Sequence, residues 1–255
     1  MAIARRLGQS YRLLLVDRDS SALDRHVAAL RTDGFDVQPA QCDVTSPDDV
    51  SALVSQAAQL GPIKGIANVV GLSPSMADFR AIMAVNLVGA ARIAQAFLPH
   101  LAPGAAAIFI SSVGAHVLSL SPEVQALVDD PLAPDFIDRL EAQVEQPATS
   151  NLAYQISKVA LNRMCRREAF EWGKKGARIV SLSPGLIATP MGALEFQNQP
   201  MKYDLLAATP LQREGTMLEI ANVVEFLASD RASFISGTDI LADGGLVGTL
   251  QQQKR

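Results

Sequence analysis

The sequence predicts a doubly wound, Rossmann-like α/β fold, with helices on both faces of a parallel sheet. Short apolar runs rich in Val, Ile and Leu alternate with segments of helical period along the chain. The apolar runs show little polar alternation, which is typical of strands buried on both faces. This alternation of strand and helix indicates βαβ units, and such units build a parallel sheet.

Six apolar runs and six periodic segments carry this prediction. The predicted strands are residues 12–16, 36–40, 65–70, 106–111, 178–182 and 239–242. The predicted helices are residues 1–7, 20–32, 47–60, 76–101, 151–173 and 217–229. The helix at 47–60 has a clear start, since Ser46 offers an N-cap and Pro47 stands at the first helical position. The polar tail after Gly248 is predicted to fray.

The composition excludes several classes of protein. The 255 residues, 49% of them hydrophobic, suit a single domain over residues 1–255 with a substantial core. A formal net charge of -4 gives no reason to expect a nucleic-acid partner. Two cysteines without a pairing pattern favour a reducing cytoplasm, and the dispersed histidines predict no metal site. We expect no secretory leader and no membrane span, because the apolar runs are short and interrupted.

One segment, residues 118–146, interrupts the alternation. It is acidic and punctuated by proline, and residues 134–146 are predicted to be helical. It follows the end of a predicted strand, and ligands of open α/β sheets bind at the carboxyl ends of strands. Two interpretations stay open: a lid or substrate wall, or a surface excursion that packs against the domain or blocks an interface.

Tyr154 and Lys158 are the centre of the functional prediction. Residues four apart on a helix lie on one face. A lysine ammonium beside a phenol stabilises the phenolate, so the tyrosine pKa would fall below its usual value of about 10. Such a tyrosine can donate a proton to a carbonyl oxygen, or accept one from an alcohol, near neutral pH. Ser112 directly follows the strand predicted at residues 106–111, as the second of two adjacent serines.

Further patterns accompany this pair. Asn86 lies inside a long apolar helix, where a buried amide needs hydrogen-bond partners. A Ser-Pro-Gly turn at residues 183–185 follows a predicted strand. Phe-Leu-Ala-Ser-Asp at 226–230, Ser-Gly at 236–237 and Asp-Gly-Gly at 243–245 come near the end of the chain.

In this order and spacing, these strings resemble the short-chain dehydrogenase/reductase family over nearly the whole chain. The resemblance implies an oxidoreductase that moves a hydride between a nicotinamide and a secondary alcohol or ketone. It implies that Tyr154 is the acid/base and that Ser112 holds the substrate oxygen. It also implies that Lys158 tunes the tyrosine and anchors the ribose, and that Asn86 supports a proton relay. The insertion and residues 151–154 and 171–173 are most similar to bacterial 3α-hydroxysteroid dehydrogenase/carbonyl reductases.

The family pattern also implies where a cofactor lies. The matching positions are Asp17, Asp43, Val44, Asn68, Gly71, Tyr154, Lys158, Pro184, Gly185, Ile187 and Thr189. Asp17 ends a predicted strand, where a carboxylate accepts hydrogen bonds from ribose hydroxyls and repels a 2′-phosphate. We therefore expect NAD(H) to be preferred over NADP(H), although the adjacent Arg18 argues the other way. Asn68 and Gly71 match the family's turn only in part, because Val69 and Val70 replace its middle residues.

The family's first strand and its glycine-rich phosphate loop have no counterpart in this sequence. Met1 falls where the helix after that loop would begin, and Gly8 comes at the far end of that helix. Three explanations stay open: a misassigned start, a shortened form that compensates with another segment or a partner, or a cofactor-poor relative with a binding or structural role. Without a central strand its neighbours lose pairing partners, so we expect weak or no nicotinamide binding.

The substrate and the assembly are expected from the same reasoning. Residues 118–146 and 190–209 are mostly apolar with scattered acids, and both would wall the pocket. A small hydrophobic carbonyl compound or alcohol, such as a hydroxysteroid, is the expected substrate. The resemblance also implies a homodimer or a homotetramer. The insertion would favour the dimer, since it precedes a helix that many relatives use for pairing.

Overall fold

The structure is a computed structural model that describes residues 1–198 and 200–253. Its main strands all run parallel and form the centre of an α/β fold. They are β1 (Leu13–Asp17), β2 (Val37–Gln41), β3 (Ile63–Asn68), β4 (Leu101–Ile110), β5 (Arg178–Pro184) and β8 (Asp239–Ala242). Two short strands, β6 (Ile187–Ala188) and β7 (Gly215–Thr216), pair with each other near the carboxyl ends of the main strands. The predicted doubly wound fold is confirmed.

The main strands fall into two groups. β1 pairs with β2, and the other four follow in the order β3, β4, β5, β8. Leu14 and Val16 of β1 pack in the same apolar cluster as Ile63 and Ile66 of β3, so the two groups lie side by side. Within the described residues no strand lies between β1 and β3, and a slot remains there. In the described residues this gap in the strand order falls inside the sheet.

Helices cover both faces of these strands. They are α1 (Ala2–Leu7), α2 (Ser20–Thr32), α3 (Pro47–Gln59), α4 (Phe79–Met83), α5 (Ala90–Phe97), α6 (Pro122–Val128), α7 (Phe136–Gln143), α8 (Ser150–Lys174), α9 (Pro190–Asn198), α10 (Met201–Ala208), α11 (Met217–Ala228) and α12 (Leu246–Gln253). Residues of α5 and α8 share one apolar cluster with β4 and β5, and α3 and α5 share another with β2 and β3. Residues of α1 and α11 pack together in a further cluster with β4, β5 and β8. The core is therefore layered, with helices above and below the strands.

The helix predicted at 76–101 is composite. It begins later, at Phe79, because Asp78 caps it by accepting a hydrogen bond from the Ala81 N–H. Between α4 and α5 the chain forms a π-helical segment, Ala84–Gly89. The segment 79–100 has the length and mean hydropathy, 1.6, of a membrane span, but 56% of it is buried inside the fold. Its apolar character is that of a core helix.

Other predicted boundaries also shift. β3 begins at Ile63 and ends before Val69, and β4 begins five residues before the predicted start at 106, at Leu101. Residues 246–253 form α12, so the prediction that the tail frays after Gly248 is wrong for residues 249–253, while residues 254 and 255 lie outside the described residues. Leu246 and Val247 are buried, and this burial holds the tail in place.

The insertion contains two helices, α6 and α7, where one helix was predicted at 134–146. Val124, Val128 and Leu140 pack in one cluster with Ile82 of α4 and Ile156 of α8. The insertion therefore covers the outer face of α4 and α8.

Candidate active site

A cavity of about 800 Å³ opens at the carboxyl ends of the strands. Ser112, Tyr154 and the segment from Pro184 to Ile187 line it there. The same cavity continues down the slot between β1 and β3. Ligands of open α/β sheets bind at this edge, so the cavity is the candidate active site.

Ser112 and Tyr154 come from different elements and meet in this cavity. Ser112 follows β4, and its Oγ accepts a hydrogen bond from the Gly114 N–H at 3.2 Å, which caps a 3₁₀ turn. Tyr154 lies in the first turns of α8, whose N-cap is Thr149. A Cβ at Gly114 would lie 3.6 Å from Ser112 Oγ and 3.7 Å from Tyr154 Cε1, so both side chains border the same point. The structure thus brings together the two predicted groups that would contact a substrate oxygen.

Lys158 lies behind Tyr154 and is almost fully buried, with 5% exposure. Its Nζ lies 5.6 Å from the centroid of the Tyr154 ring and donates a hydrogen bond to the Ile110 carbonyl at 2.9 Å. Burial lowers the pKa of Lys158 to about 8, because removal from water disfavours the ammonium form. The predicted placement of lysine beside tyrosine is therefore present.

Asn86 is buried in the π-helical segment and holds the turn after β3. Its Oδ1 accepts from the Leu72 N–H at 2.7 Å, and its Nδ2 donates to the Leu72 carbonyl at 3.0 Å. Nδ2 also lies 3.4 Å from Ser157 Oγ, and this hydroxyl donates to the Tyr154 carbonyl at 2.7 Å. A π-helical insertion often marks a functional position, and here it directs an amide toward the helix of Tyr154.

The turn between Asn68 and Gly71 borders the same group of residues. Asn68 lines the cavity, while Val69 and Val70 are exposed at its mouth. A side chain at Gly71 would stand 3.4 Å from Asn86 Oδ1 and 3.6 Å from Lys158 Nζ. The backbone at Gly71 therefore passes close to both polar groups.

The segment after β5 forms the opposite wall. Pro184, Gly185, Ile187 and Thr189 all line the cavity, as the sequence predicted for a cofactor wall. A Cβ at Gly185 would stand 2.7 Å from the Asp243 Cα, so only glycine fits the approach of these two backbones. The Thr189 hydroxyl oxygen accepts from the Gly192 N–H at 2.9 Å at the start of α9.

Four of the predicted cofactor residues lie outside the cavity lining: Asp17, Asp43, Gly71 and Lys158. Asp17 ends β1 and accepts a hydrogen bond from the Asp19 N–H at 3.0 Å. Asp43 accepts from the Thr45 N–H and hydroxyl, which lowers the pKa of the Asp43 carboxyl. Arg18 stands 3.7 Å from Asp43. Val44 does line the cavity.

The walls differ in part from the prediction. Gly192, Phe196 and Lys202 place the 190–209 region on the cavity, as predicted. No described residue of 118–146 lines it, because the insertion packs on α4 and α8 instead. Of the two interpretations left open for the insertion, its packing favours the surface excursion.

A buried polar cluster beside the site was missed by the sequence reasoning. His116, the last residue of the 3₁₀ turn after Ser112, contacts Asp239 Oδ2 through Nε2 at 2.8 Å. The other oxygen of Asp239 accepts from Ser181 at 2.6 Å and Ser183 at 3.0 Å. These residues are far apart in sequence. The parallel register of β5 and β8 places Ser181 opposite Asp239, and the turn after β4 brings His116 to the same carboxylate. Among residues 1–198 and 200–253 there is no His, Cys, Asp and Glu cluster that could hold a metal ion.

The comparisons with known proteins agree with this geometry. The family model described as short chain dehydrogenase matches residues 1–121, and the one described as enoyl-(acyl carrier protein) reductase matches residues 137–247. A short-chain dehydrogenase/reductase of Alternaria brassicicola is 33% identical over 256 residues, covering 98% of this chain and 93% of the relative. The chain belongs to the short-chain dehydrogenase/reductase family.

Other family members extend this result. A 3-alpha-hydroxysteroid dehydrogenase/carbonyl reductase of Comamonas testosteroni is 34% identical over 189 residues, which is 71% of this chain and 72% of that protein. A solved 7α-hydroxysteroid dehydrogenase, complexed with NADH and 7-oxo glycochenodeoxycholic acid, superposes with a TM-score of 0.77. That alignment covers 96% of this chain and 88% of the other at 23% identity, which supports the shared fold.

Proposed function

We propose that this short-chain dehydrogenase/reductase interconverts a secondary alcohol and a ketone. One observation carries the proposal: Ser112 of the β4 end and Tyr154 of α8 border one cavity, with Lys158 buried directly behind the tyrosine. A hydroxyl donor and a phenol that converge on one point are suited to hold and protonate a carbonyl oxygen.

Each of these side chains has a distinct part in the mechanism. Tyr154 exchanges a proton with the substrate oxygen through its phenol. Ser112 donates a hydrogen bond to that oxygen and stabilises the negative charge that develops on it. Lys158 in its ammonium form favours the phenolate of Tyr154. Asn86 fixes the Leu72 backbone and the Ser157 hydroxyl, and so supports proton movement toward Lys158.

The residues at the carboxyl edge fit the nicotinamide half of a dinucleotide. Pro184, Gly185, Ile187 and Thr189 would hold the carboxamide side, and Lys158 the ribose. The fit rests on the glycine at 185, which lets the backbone wall come close, and on the cavity that these residues line. The nicotinamide, when bound, supplies or accepts the hydride.

The adenosine half would meet the end of β1 and the loop after β2. Asp17 there favours NAD(H) over NADP(H), since its carboxylate would repel a 2′-phosphate. Arg18 could instead favour NADP(H) by binding a 2′-phosphate, but its guanidinium is directed toward Asp43. Asp43, Val44, Asn68 and Gly71 complete the proposed cofactor surface.

The catalytic proposal is tested by Tyr154→Phe. This change removes only the hydroxyl, so turnover is expected to fall by at least about a hundredfold while the circular dichroism spectrum and Tm stay near those of the unchanged protein. Rates are measured at millimolar nicotinamide cofactor with a hydroxysteroid and with smaller secondary alcohols. The matched control is Tyr203→Phe, which removes the same atom from an exposed tyrosine. Unchanged activity of Tyr154→Phe would reject the assignment.

Cofactor affinity is a separate prediction. The open slot leaves the floor of the proposed cofactor surface unsupported, so residues 1–255 alone are expected to bind NADH more weakly than micromolar. Titration followed by NADH fluorescence measures this affinity. Asp17→Ala is expected to reduce the difference in affinity between NADH and NADPH. Micromolar NADH binding would contradict the prediction.

We also propose a small hydrophobic carbonyl compound or alcohol as the substrate. Leu186, Phe196 and Met217 are apolar residues that line the same cavity as Ser112 and Tyr154. The Comamonas relative named above acts, by its name, on 3-alpha-hydroxysteroids and carbonyl compounds. A hydroxysteroid is therefore the first compound to assay.

The remaining proposals concern assembly and location. We propose a homodimer, a single domain over residues 1–255, and a cytoplasmic location. Cys42 and Cys165 are both buried as free thiols, which suits a reducing compartment.

A further inference from the structure

A second cavity, with a volume of about 250 Å³, lies between the insertion, the turn after β4 and the middle of α8. Since a water molecule takes up roughly 30 Å³ in the liquid, a small polyatomic ion fits in such a space. No described residue lines both this cavity and the active-site cavity. The insertion, which does not line the active-site cavity, contributes Ser119, Leu120 and Gln125 to this one.

The polar side chains of this cavity favour an anion. Among the described residues they are His116, Ser119, Gln125, Asn162, Arg163 and Arg166. The lining thus contains two guanidinium groups and no carboxylate from the described part of the chain, although the formal net charge of the whole chain is -4. A concave surface with this balance of charge attracts negatively charged ligands.

Arg166 supplies the positive charge that a ligand can use. Arg163 is already engaged, because it donates to Asp129 at 2.9 and 2.6 Å and to Gln125 Oε1 at 3.0 Å. The guanidinium of Arg166 makes no hydrogen bond or ion pair with any residue of 1–198 or 200–253. A guanidinium group can donate to two oxygens of one oxyanion at the same time.

Asn162 gives a second, independent indication of a ligand. The residue lines the cavity, is only 5% exposed, and its Oδ1 accepts no hydrogen bond from the described residues. A buried amide oxygen without a donor costs free energy, so nearly all such atoms in proteins have a partner. Asn162 and Arg166 are four residues apart on α8 and therefore lie on one face of the helix. A ligand that joins them must combine an anionic oxygen with an O–H donor.

His116 adds a further polar group to the same site. Its Nε2 is engaged with Asp239 at 2.8 Å, while its Nδ1 makes no hydrogen bond with a described residue. Nδ1 can accept from an O–H or, in the protonated ring, donate to an oxygen. The hydroxyl of Ser119 can do the same, so the cavity offers polar partners on several sides of a tetrahedral ion.

We propose that this cavity binds inorganic hydrogen phosphate. Arg166 donates to two phosphate oxygens, and the phosphate O–H donates to Asn162 Oδ1. His116 and Ser119 contact the remaining oxygens. The proposal is independent of the catalytic proposal, because Ser112 and Tyr154 line the other cavity.

The test compares phosphate with sulfate at pH 8 and constant ionic strength. Both ions are then mainly tetrahedral dianions, but only phosphate has an O–H. Each is titrated into the isotope-labelled full chain, and the backbone amides of Asn162, Arg163 and Arg166 are followed by NMR. Phosphate is expected to shift these amides with a millimolar or lower Kd, at least about threefold below that of sulfate, because only phosphate satisfies Asn162 Oδ1.

Two variants assign the binding to this cavity. Arg166→Gln removes an exposed charge and should weaken both ions by at least about fivefold. Asn162→Leu removes the amide and should reduce phosphate affinity to that of sulfate, while sulfate affinity changes little. The matched control is Arg139→Gln, which removes the same charge from an exposed position of α7 outside the cavity lining. It should leave both affinities unchanged.

Three outcomes would overturn the proposal. The first is that phosphate up to about 20 mM shifts none of the three amides, and the second is that phosphate and sulfate bind the unchanged protein equally. The third is that Arg139→Gln weakens phosphate as much as Arg166→Gln, which would reduce the effect to general charge attraction. If Asn162→Leu does not fold, the comparison of the two ions and the two arginine variants still decides.

Discussion

At the scale of one residue, the burial of Lys158 lowers the stability of the fold and shifts the pKa of its amine toward neutral pH. Lys158 is only 5% exposed and donates to the Ile110 carbonyl, and water would solvate its charge better than this buried position does. Its pKa of about 8 reflects this cost, since burial favours the neutral amine. Near pH 8 the group can therefore change its charge beside Tyr154, which an exposed lysine would not do.

This burial predicts a pH-dependent stability. The folded pKa of about 8 lies below the ordinary lysine value, so between these two values the unfolded chain binds more protons than the folded one. The free energy of unfolding should then rise with pH across that range. At pH 7, Lys158→Met should be more stable than the unchanged protein, by at most on the order of 3 kcal/mol. The gain should shrink as the pH approaches 10.

Urea denaturation of both proteins at pH 7 and pH 10 measures this difference. Lys174→Met is the control, because Lys174 is exposed and pairs with Glu171 on the surface. Its effect on the free energy of unfolding should be small at both pH values. A Lys158→Met effect that does not vary with pH would show that the lysine carries no desolvation cost.

At the scale of elements, the insertion is attached to the domain by charge as well as by apolar packing. Asp129, just after α6, accepts bonds from Arg163 of α8 at 2.6 and 2.9 Å, and Arg167 lies 2.8 Å away. These contacts are half-buried, and they hold the pKa of Asp129 low, chiefly through the Arg163 hydrogen bond. A charge-assisted pair in such a place contributes more than a surface pair.

Asp129→Asn should therefore loosen α6 without unfolding the domain. The neutral amide cannot accept hydrogen bonds from both guanidinium groups as the carboxylate does. The free energy that holds α6 against α8 should therefore fall by roughly 1–3 kcal/mol. Limited proteolysis is expected to cut between residues 117 and 149 several times faster. Glu171→Gln, which breaks an exposed pair on the same helix, should leave that rate unchanged. Equal rates for Asp129→Asn and the unchanged protein would mean that apolar packing alone holds the insertion.

The sequence predicts elements well where one local signal decides them. Strands β1, β2, β5 and β8 were located within two residues at each end because each is a compact apolar run with polar or turn residues around it. β4 was placed too short, since its first half, 101–105, contains proline and glycine and pairs only irregularly with β3. The π-helical segment has no sequence signal of its own and follows from the bonds that Asn86 makes.

The candidate site divides in the same way. Tyr154 and Lys158 share a helix and Ser112 follows a strand, so their spacing, together with the resemblance of the surrounding strings to the family, was enough to single them out. The His116 to Asp239 contact joins residues 123 positions apart, and only the folded chain brings the turn after β4 beside β8. The positions of Asp17 and Asp43 relative to the cavity likewise depend on how β1 lies beside the slot. The periodicity of the sequence does not predict this packing.

At the scale of the whole molecule, the insertion and the sheet edge decide how copies can meet. The apolar faces of α6 and α7 cover α4 and α8, so this helix surface is closed to another subunit. At the other end of the sheet, β8 pairs only with β5, and its free edge remains open in the described residues. Phe234, fully exposed, lies in the loop before β8, and Phe170 and Leu241 are also exposed. A Cβ at Gly237 would lie 2.7 Å from the Ala169 Cβ, so that loop passes close to α8 beside Phe170.

This distribution of apolar surface predicts a dimer through the β8 edge, because a tetramer would need the covered helix face as a second interface. Light scattering should give twice the chain mass of 27.1 kDa. Phe234→Asp should give monomers, since a carboxylate in the centre of an apolar interface loses its water without gaining a partner. Met76→Asp places the same charge on an exposed side chain near the insertion and should leave the dimer intact. A dimer that survives Phe234→Asp but dissociates with Met76→Asp would place the interface on the insertion side instead.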